Sequence, residues 1–260
     1  VEVLQRAGIA VDWSKASAGP GGAGEVRSND FVVERLALGT GADSIVEANV
    51  RGVAIEGSVS IDTSIKLGDC IAVFGLGAIG LLAAQMARLE GASRVYGVDL
   101  IASRRELARR YGVDETLDPA QGDVALHIKR SERNKGVDAA LEISGSYAAL
   151  QQAIRCVQVG GVVVAASYYK GSAAALSLGA EWHHNRPTLI SSMAVWGCPH
   201  RAHPLWSLER LEDTAIGLLE RGMLSTEGMV THRIPYPDAA RAYELIATHA
   251  DEAIKVVLTY

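Results

Sequence analysis

Three glycines and one aspartate carry the strongest chemical signal in the chain. Gly75, Gly77 and Gly80 interrupt an apolar run over residues 70–86, and the run resumes after them at helical spacing. The pattern reads as strand, tight turn, helix. Gly75 allows the turn, Gly77 lets the backbone approach a pyrophosphate, and Gly80 lets the helix pack on the strand. The first peptide groups of that helix, those of Ala78 and Ile79 among them, offer unpaired N–H groups to an anion. Residues 94–98 read as a second short strand that ends at Asp99, about 20 residues beyond the glycines, where a carboxylate can accept hydrogen bonds from an adenosine ribose. Glycine turn, helix, strand and acid together predict a dinucleotide site. The charge of Asp99 opposes a 2′-phosphate, so NAD is expected ahead of NADP, with Arg104 and Arg105 close by as the residues that speak against that choice.

Other residue types that can do chemistry are less well placed. Cys198, His200 and His203 fall within six positions, with His183 and His184 upstream. Pro199 and Pro204 mark a loop there, and the spacing fits no usual zinc signature, so no metal site is expected. Trp182, His183, His184, Asn185 and Trp196 suit either a substrate cleft at the carboxyl edge of a sheet or plain packing, and both readings stay open. Tyr168, Tyr169 and Lys170 follow a strand end and can border a nicotinamide ring. They lack the Tyr-x-x-x-Lys spacing of a proton-transfer pair, and no catalytic acid or base is identified. The glycine-rich stretch 19–24 has no apolar strand before it and no apolar helix after it, so it reads as a turn.

The elements that must position the glycine turn alternate along the chain. After it come a helix at 102–111, a short strand at 115–117 closed by Asp118 and Pro119, a helix at 124–129, a buried strand at 137–143, a helix at 147–157, and strands at 162–166 and 189–193. Alternation at this spacing implies a parallel sheet with helices on both faces, a doubly wound α/β fold. Short strands are expected at 1–4 and 31–33. Beyond Pro204 the pattern changes to helices at 208–221 and 237–247 and strands at 229–234 and 255–258. The 260 residues, 48% hydrophobic and 21% charged with a net charge of −5, suit a soluble globular protein and give no support for a nucleic-acid or anionic-membrane surface. A small-molecule partner is expected. No window is apolar enough to span a membrane, and the first residues lack the order of a signal peptide, so a cytoplasmic location is expected. Cys70, Cys156 and Cys198 lie far apart, and no disulfide framework is expected.

Residues 66–80, 137–145, 160–164, 230–235 and 254–258 together resemble, in order, segments of the medium-chain dehydrogenase/reductase superfamily, the relatives of zinc-type alcohol dehydrogenase. The resemblance covers about 47–260, and residues 1–46 resemble the start of that family's mainly β, GroES-like catalytic half. It implies a Rossmann NAD-binding domain over 47–204, with 1–46 as a catalytic-domain remnant and 205–260 as the return to it. Glu142 stands at the family's E-x-x-G position, as a structural or cofactor-adjacent group. Ser144 and Gly145 resemble residues beside the cofactor ribose, and Lys255 matches a position where a cation meets the pyrophosphate. The expected cofactor-binding set is therefore Gly75, Gly77, Ala78, Ile79, Gly80, Asp99, Leu100, Arg104, Ser144, Gly145, Ser167 and Lys255.

The departures from the family bear on mechanism. Leu38, in the stretch 38–43, stands where the family places the cysteine of its catalytic zinc, no Gly-His-Glu follows, and no four-cysteine lobe is present. The half before the first Rossmann strand is also short, and a missing block is expected near 44–50. The resemblance implies hydride transfer between NAD(H) and a secondary alcohol or ketone, with sugars or polyols as a substrate class, and the absent ligands imply no zinc. A zinc-independent enone or quinone reductase and a non-catalytic NAD-binding sensor are the alternatives. The family also pairs the edge strands of two copies, which implies a homodimer through 189–196.

Overall fold

Five consecutive apolar residues suit a strand covered on both faces, and Cys70–Phe74 forms such a strand, β1, buried along its whole length. The computed structural model describes residues 62, 64–192 and 205–259, all within the unit Val50–Tyr260. The strands expected at 1–4 and 31–33 and the turn at 19–24 lie outside the described residues.

From β1 the chain continues through α1 (Ala78–Glu90), β2 (Arg94–Val98), α2 (Ala102–Arg110), β3 (Glu115–Leu117), α3 (Val124–Ser131) and β4 (Val137–Glu142). Then follow α4 (Tyr147–Cys156), β5 (Val157–Ala165), the short α5 (Glu181–Asn185) and β6 (Thr188–Ser191). The last part holds α6 (Leu208–Glu220), β7 (Val230–Pro235), α7 (Ala239–Thr248) and β8 (Lys255–Thr259). Among the described residues, six strands form one parallel sheet in the order β3-β2-β1-β4-β5-β6, and β7 and β8 pair in parallel as a second, two-stranded sheet. The strand order reverses between β1 and β4, which opens a crevice at their carboxyl ends. Phe74, the last residue of β1, stands in register with Glu142, the last of β4.

The pleat of β1 sends Ile71 and Val73 into one core and Cys70, Ala72 and Phe74 into another. Leu81 and Leu82 of α1 and Leu107 of α2 fill the first, and Ile128 of α3 and Leu150 and Ile154 of α4 fill the second. Ala215, Leu224 and Met229 join the first cluster, so the C-terminal elements share a core with the nucleotide-type sheet. Gln85 on α1 makes this junction specific. Its Nε2 donates to the Ser225 carbonyl at 3.0 Å and its Oε1 accepts from the Ser225 N–H at 2.8 Å. Leaving either backbone group unpaired costs about 1–3 kcal/mol.

One boundary differs from the sequence reading for a local reason. β5 begins at Val157, directly at the end of α4, where the backbone is already extended and Val157 pairs with Val137. The next paired residues are Ala139 and Val162, so the chain of β5 bulges outward between them, and Gly160 takes a φ of 77° to allow it. The glycine pair therefore marks a bulge inside a strand, where the sequence suggests a gap between helix and strand. No helix among the described residues is long and apolar enough to cross a membrane.

Candidate dinucleotide site

The glycine turn closes β1 and opens α1, and each glycine meets a different constraint. Gly75 has a φ of 95°, and its N–H donates to the Val98 carbonyl at 2.8 Å. A side chain there would need a rare backbone conformation and would press within 2.9–3.0 Å of Ser144. At Gly80 a Cβ would collide with the carbonyl oxygen of Gly75 and stand 2.9 Å from its carbonyl carbon. Gly77 is different, because a Cβ there would meet nothing within 4 Å. The space it leaves opens at the N-cap of α1, which has neither a side-chain cap nor an acid in its first turn. By contrast Asp123, Ser146 and Ser207 cap α3, α4 and α6 with their own side chains. An anion at α1 can supply the missing acceptor to the peptide groups of Ala78, Ile79 and Gly80.

Asp99 follows β2 and leans toward this turn. Its Oδ2 accepts from the Leu76 N–H at 2.7 Å and its Oδ1 from the Ile101 N–H at 2.8 Å. Each oxygen keeps a lone pair for a further donor, as the ribose hydroxyls of a dinucleotide require. An open space at Gly77, an uncapped helix and an anchored carboxylate fit a dinucleotide. Leu100 is 67% exposed beside Asp99. Arg104 turns away, with its Nη2 donating to the carbonyls of Ala250 at 3.0 Å and Ala253 at 2.7 Å.

A buried carboxylate organises the other side of the crevice. Glu142 is fully buried at the end of β4. Its Oε1 accepts from the Ser144 N–H at 2.8 Å and from the Ser144 hydroxyl, and its Oε2 accepts from the Gly145 N–H at 3.3 Å and from the Tyr169 hydroxyl. Burial pushes the Glu142 carboxyl above its ordinary value, and these four donors oppose the rise. Burial first, then the charge of Glu142, pushes the Tyr169 phenol far up, so it remains a donor. Its ring lies 5.1 Å from that of Tyr147. Ser167 borders Gly145, where an added Cβ would lie 3.5 Å from that of Ser167. Glu142 thus ties the exits of β4 and β5 together beside the turn that leaves β1.

The structure brings Gly75, Ser144, Gly145 and Ser167 together, with Asp99 on the far side of the turn. Lys255 begins β8 and pairs with Val230 in the small sheet. Trp182 packs against the second core, and the buried Asn185 donates to the Val157 carbonyl at 3.1 Å, which favours packing for these two. His183 and His184 are exposed. Leu38 and its neighbours, Trp196, Cys198, His200 and His203 lie outside the described residues. Among the described residues no three His, Cys, Asp or Glu side chains gather as a metal site. Sequence reading missed two pairings, Glu142 with Tyr169 and Arg105 with Asp118. A glutamate at the end of a continuous apolar strand was the available signal for the first.

A family model described as zinc-binding dehydrogenase matches residues 78–207. The D-guloside 3-dehydrogenase of Shigella flexneri is 34% identical over 233 residues, 89% of this chain and 66% of that protein. The D-guloside 3-dehydrogenase of Escherichia coli (strain K12) is 36% identical over 200 residues, 76% of this chain and 57% of that protein. The chain thus spans 57–66% of the length of these curated relatives. Among solved structures, a protein of Sinorhizobium meliloti 1021 described as a zinc-binding dehydrogenase bound to NADP is 25% identical, with a TM-score of 0.69 over 84% of this chain and 60% of that one.

The buried carboxylate of Glu142 links stability to pH. An acid whose folded value lies above its ordinary 4.5 contributes full stability below that pH and loses it as pH rises through the folded value. Glu142→Gln removes the titration. The unfolding free energy of the parent relative to the variant should be greatest below pH 4.5 and shrink as pH rises, measured by denaturant unfolding across a pH series. A difference that stays flat or grows with pH would contradict the assignment.

Proposed function

We propose, from the premise that this chain belongs to the zinc-binding dehydrogenase family, that it is an NAD-dependent dehydrogenase acting on a secondary alcohol or its ketone in a sugar or polyol, without zinc. The observation that carries the reading is the Asp99 carboxylate, fixed between the Leu76 and Ile101 N–H groups beside an uncapped helix N-terminus. Two relatives are named for dehydrogenation of a D-guloside at position 3, which supports a sugar-derived substrate. Independence from zinc rests on Leu38, which offers no thiolate where the family's zinc requires one.

In this reading the peptide groups of Gly77, Ala78, Ile79 and Gly80 hold the pyrophosphate and Asp99 accepts the ribose hydroxyls. Ser144, Gly145 and Ser167 border the cofactor on the β4 and β5 side, and Leu100 covers its adenosine end. Arg104 holds the chain at 250–253 against α2, and Lys255, two residues beyond that chain, supplies positive charge. The dinucleotide supplies, when bound, the acceptor or donor of a hydride. Residues 1–46 and 205–260 belong, in the same proposal, to the catalytic half that receives the substrate.

The test follows NADH formation from a glycoside or polyol after dialysis against a chelator, together with titrations of NADH and NADPH. Turnover with NAD and tighter binding of NADH are expected, with Asp99→Ala narrowing the difference between the two cofactors. Turnover abolished by the chelator and restored by zinc would overturn the zinc-free reading, and equal affinities in the parent would remove the argument from Asp99.

We also propose a homodimer. β6 forms the outer strand of the sheet, bonded on one side to β5, and its Leu189 is 41% exposed. Pairing two such edges across a two-fold axis satisfies their backbone groups and covers the apolar side chains. Light scattering should return twice the mass of one chain, and a single-chain mass at micromolar concentration would contradict it.

A further inference from the structure

We propose that the ion pair between Arg105 and Asp118 sets cofactor preference at this site, by withholding from a 2′-phosphate the guanidinium that is bonded to Asp99's own backbone. The proposal rests on the reading of the crevice as NAD-binding and adds a second residue pair to the determinant supplied by Asp99. A carboxylate after β2 repels a 2′-phosphate, but a nearby arginine can compensate by binding it. Two arginines stand within six positions of Asp99, so the acid alone does not account for a preference.

Arginine cannot be silenced by losing its proton, because its charge persists at every accessible pH. It can be silenced by pairing. Arg105 Nη1 donates to the Asp99 carbonyl at 2.7 Å, and its Nη2 lies 3.1 Å from Asp118 Oδ2, with the two side chains only 13% and 16% exposed. Asp118 is itself held in place. Its Oδ1 accepts from the Ala120 N–H at 2.9 Å and its Oδ2 from Gln121 Nε2 at 3.3 Å. The Asp99 N–H also reaches the Leu117 carbonyl at 3.3 Å, so the exits of β2 and β3 are joined where the pair sits. Asp118 therefore cannot follow Arg105 toward a ligand without giving up its own turn. Arg104 is committed to the Ala250 and Ala253 carbonyls. A 2′-phosphate arriving at Asp99 thus meets a negative charge and two occupied guanidinium groups.

Asp118→Asn tests this, because asparagine keeps the Oδ1 acceptor for Ala120 while it removes the charge and puts an N–H donor in place of the Oδ2 that faces Arg105 and Gln121. Fluorescence titration with NADH and NADPH compares the parent, Asp118→Asn, and the double variant Asp118→Asn with Arg105→Leu. The expected result is an NADPH Kd about fivefold lower in Asp118→Asn, the scale of one partly exposed ion pair, with NADH binding nearly unchanged. The double variant should lose that gain. A ratio of affinities unmoved by Asp118→Asn in a parent that prefers NADH would overturn this proposal alone, as would a gain that survives removal of Arg105. A parent that binds both cofactors equally, or neither, would overturn the NAD reading and this proposal with it.

Discussion

Helix α1 starts so close to the end of β1 that a single methyl group on Gly80 would collide with the carbonyl oxygen of Gly75. That approach fixes much else. With the helix pressed onto the strand end, the chain must reverse within a few residues, and Gly75 does so at a φ of 95° directly beside Ser144. The first turn of α1 is left facing the crevice between β1 and β4 with no cap of its own. The same backbone atoms that make the turn tight also make its N–H groups available, and Asp99 holds the Leu76 N–H so that the loop stays in that position.

A second constraint acts from the other bank of the crevice. A carboxylate taken out of water at the end of β4 is stable only if its lone pairs are used, and Glu142 uses them on Ser144, Gly145 and Tyr169. Because those donors lie on the segments that leave β4 and β5, the cost of burying the charge becomes a force that draws the two segments together. The crevice is bounded by an anchored acid on each side. Asp99 is partly open to solvent and Glu142 fully enclosed, so the first suits a ligand and the second suits the frame.

Much of this was legible in the sequence because it is local. The unbroken apolar run of β1, the three glycines and the acid after β2 are spaced by strand, turn and helix geometry, and period alone locates them. The bulge in β5 was hidden because Gly160 and Gly161 look the same whether they separate two elements or relax one. Arg104 stands close to Asp99 in sequence, but its hydrogen bonds run to residues 146 and 149 positions away, which no local pattern indicates. The pairing of Arg105 with Asp118 was invisible for the same reason, since helix α2 intervenes between Asp99 and β3 and only the parallel sheet returns the two ends to one place. Glu142 could be located but its partner could not, because Tyr169 reaches it from the segment that leaves β5, 27 positions further along the chain.

The space at Gly77 serves a pyrophosphate in the proposed site, and packing makes no use of it. Gly77→Ala separates the two, because the backbone at that residue, φ −68° and ψ −174°, is open to alanine and the added methyl group meets nothing within 4 Å in the free protein. Measured together by thermal unfolding and NADH titration, the variant should lose no more than about 1 kcal/mol of stability, the scale on which alanine is poorer than glycine at a helix N-cap, while its affinity for NADH falls about tenfold or more. An alanine variant that binds NADH as tightly as the parent would contradict the claim.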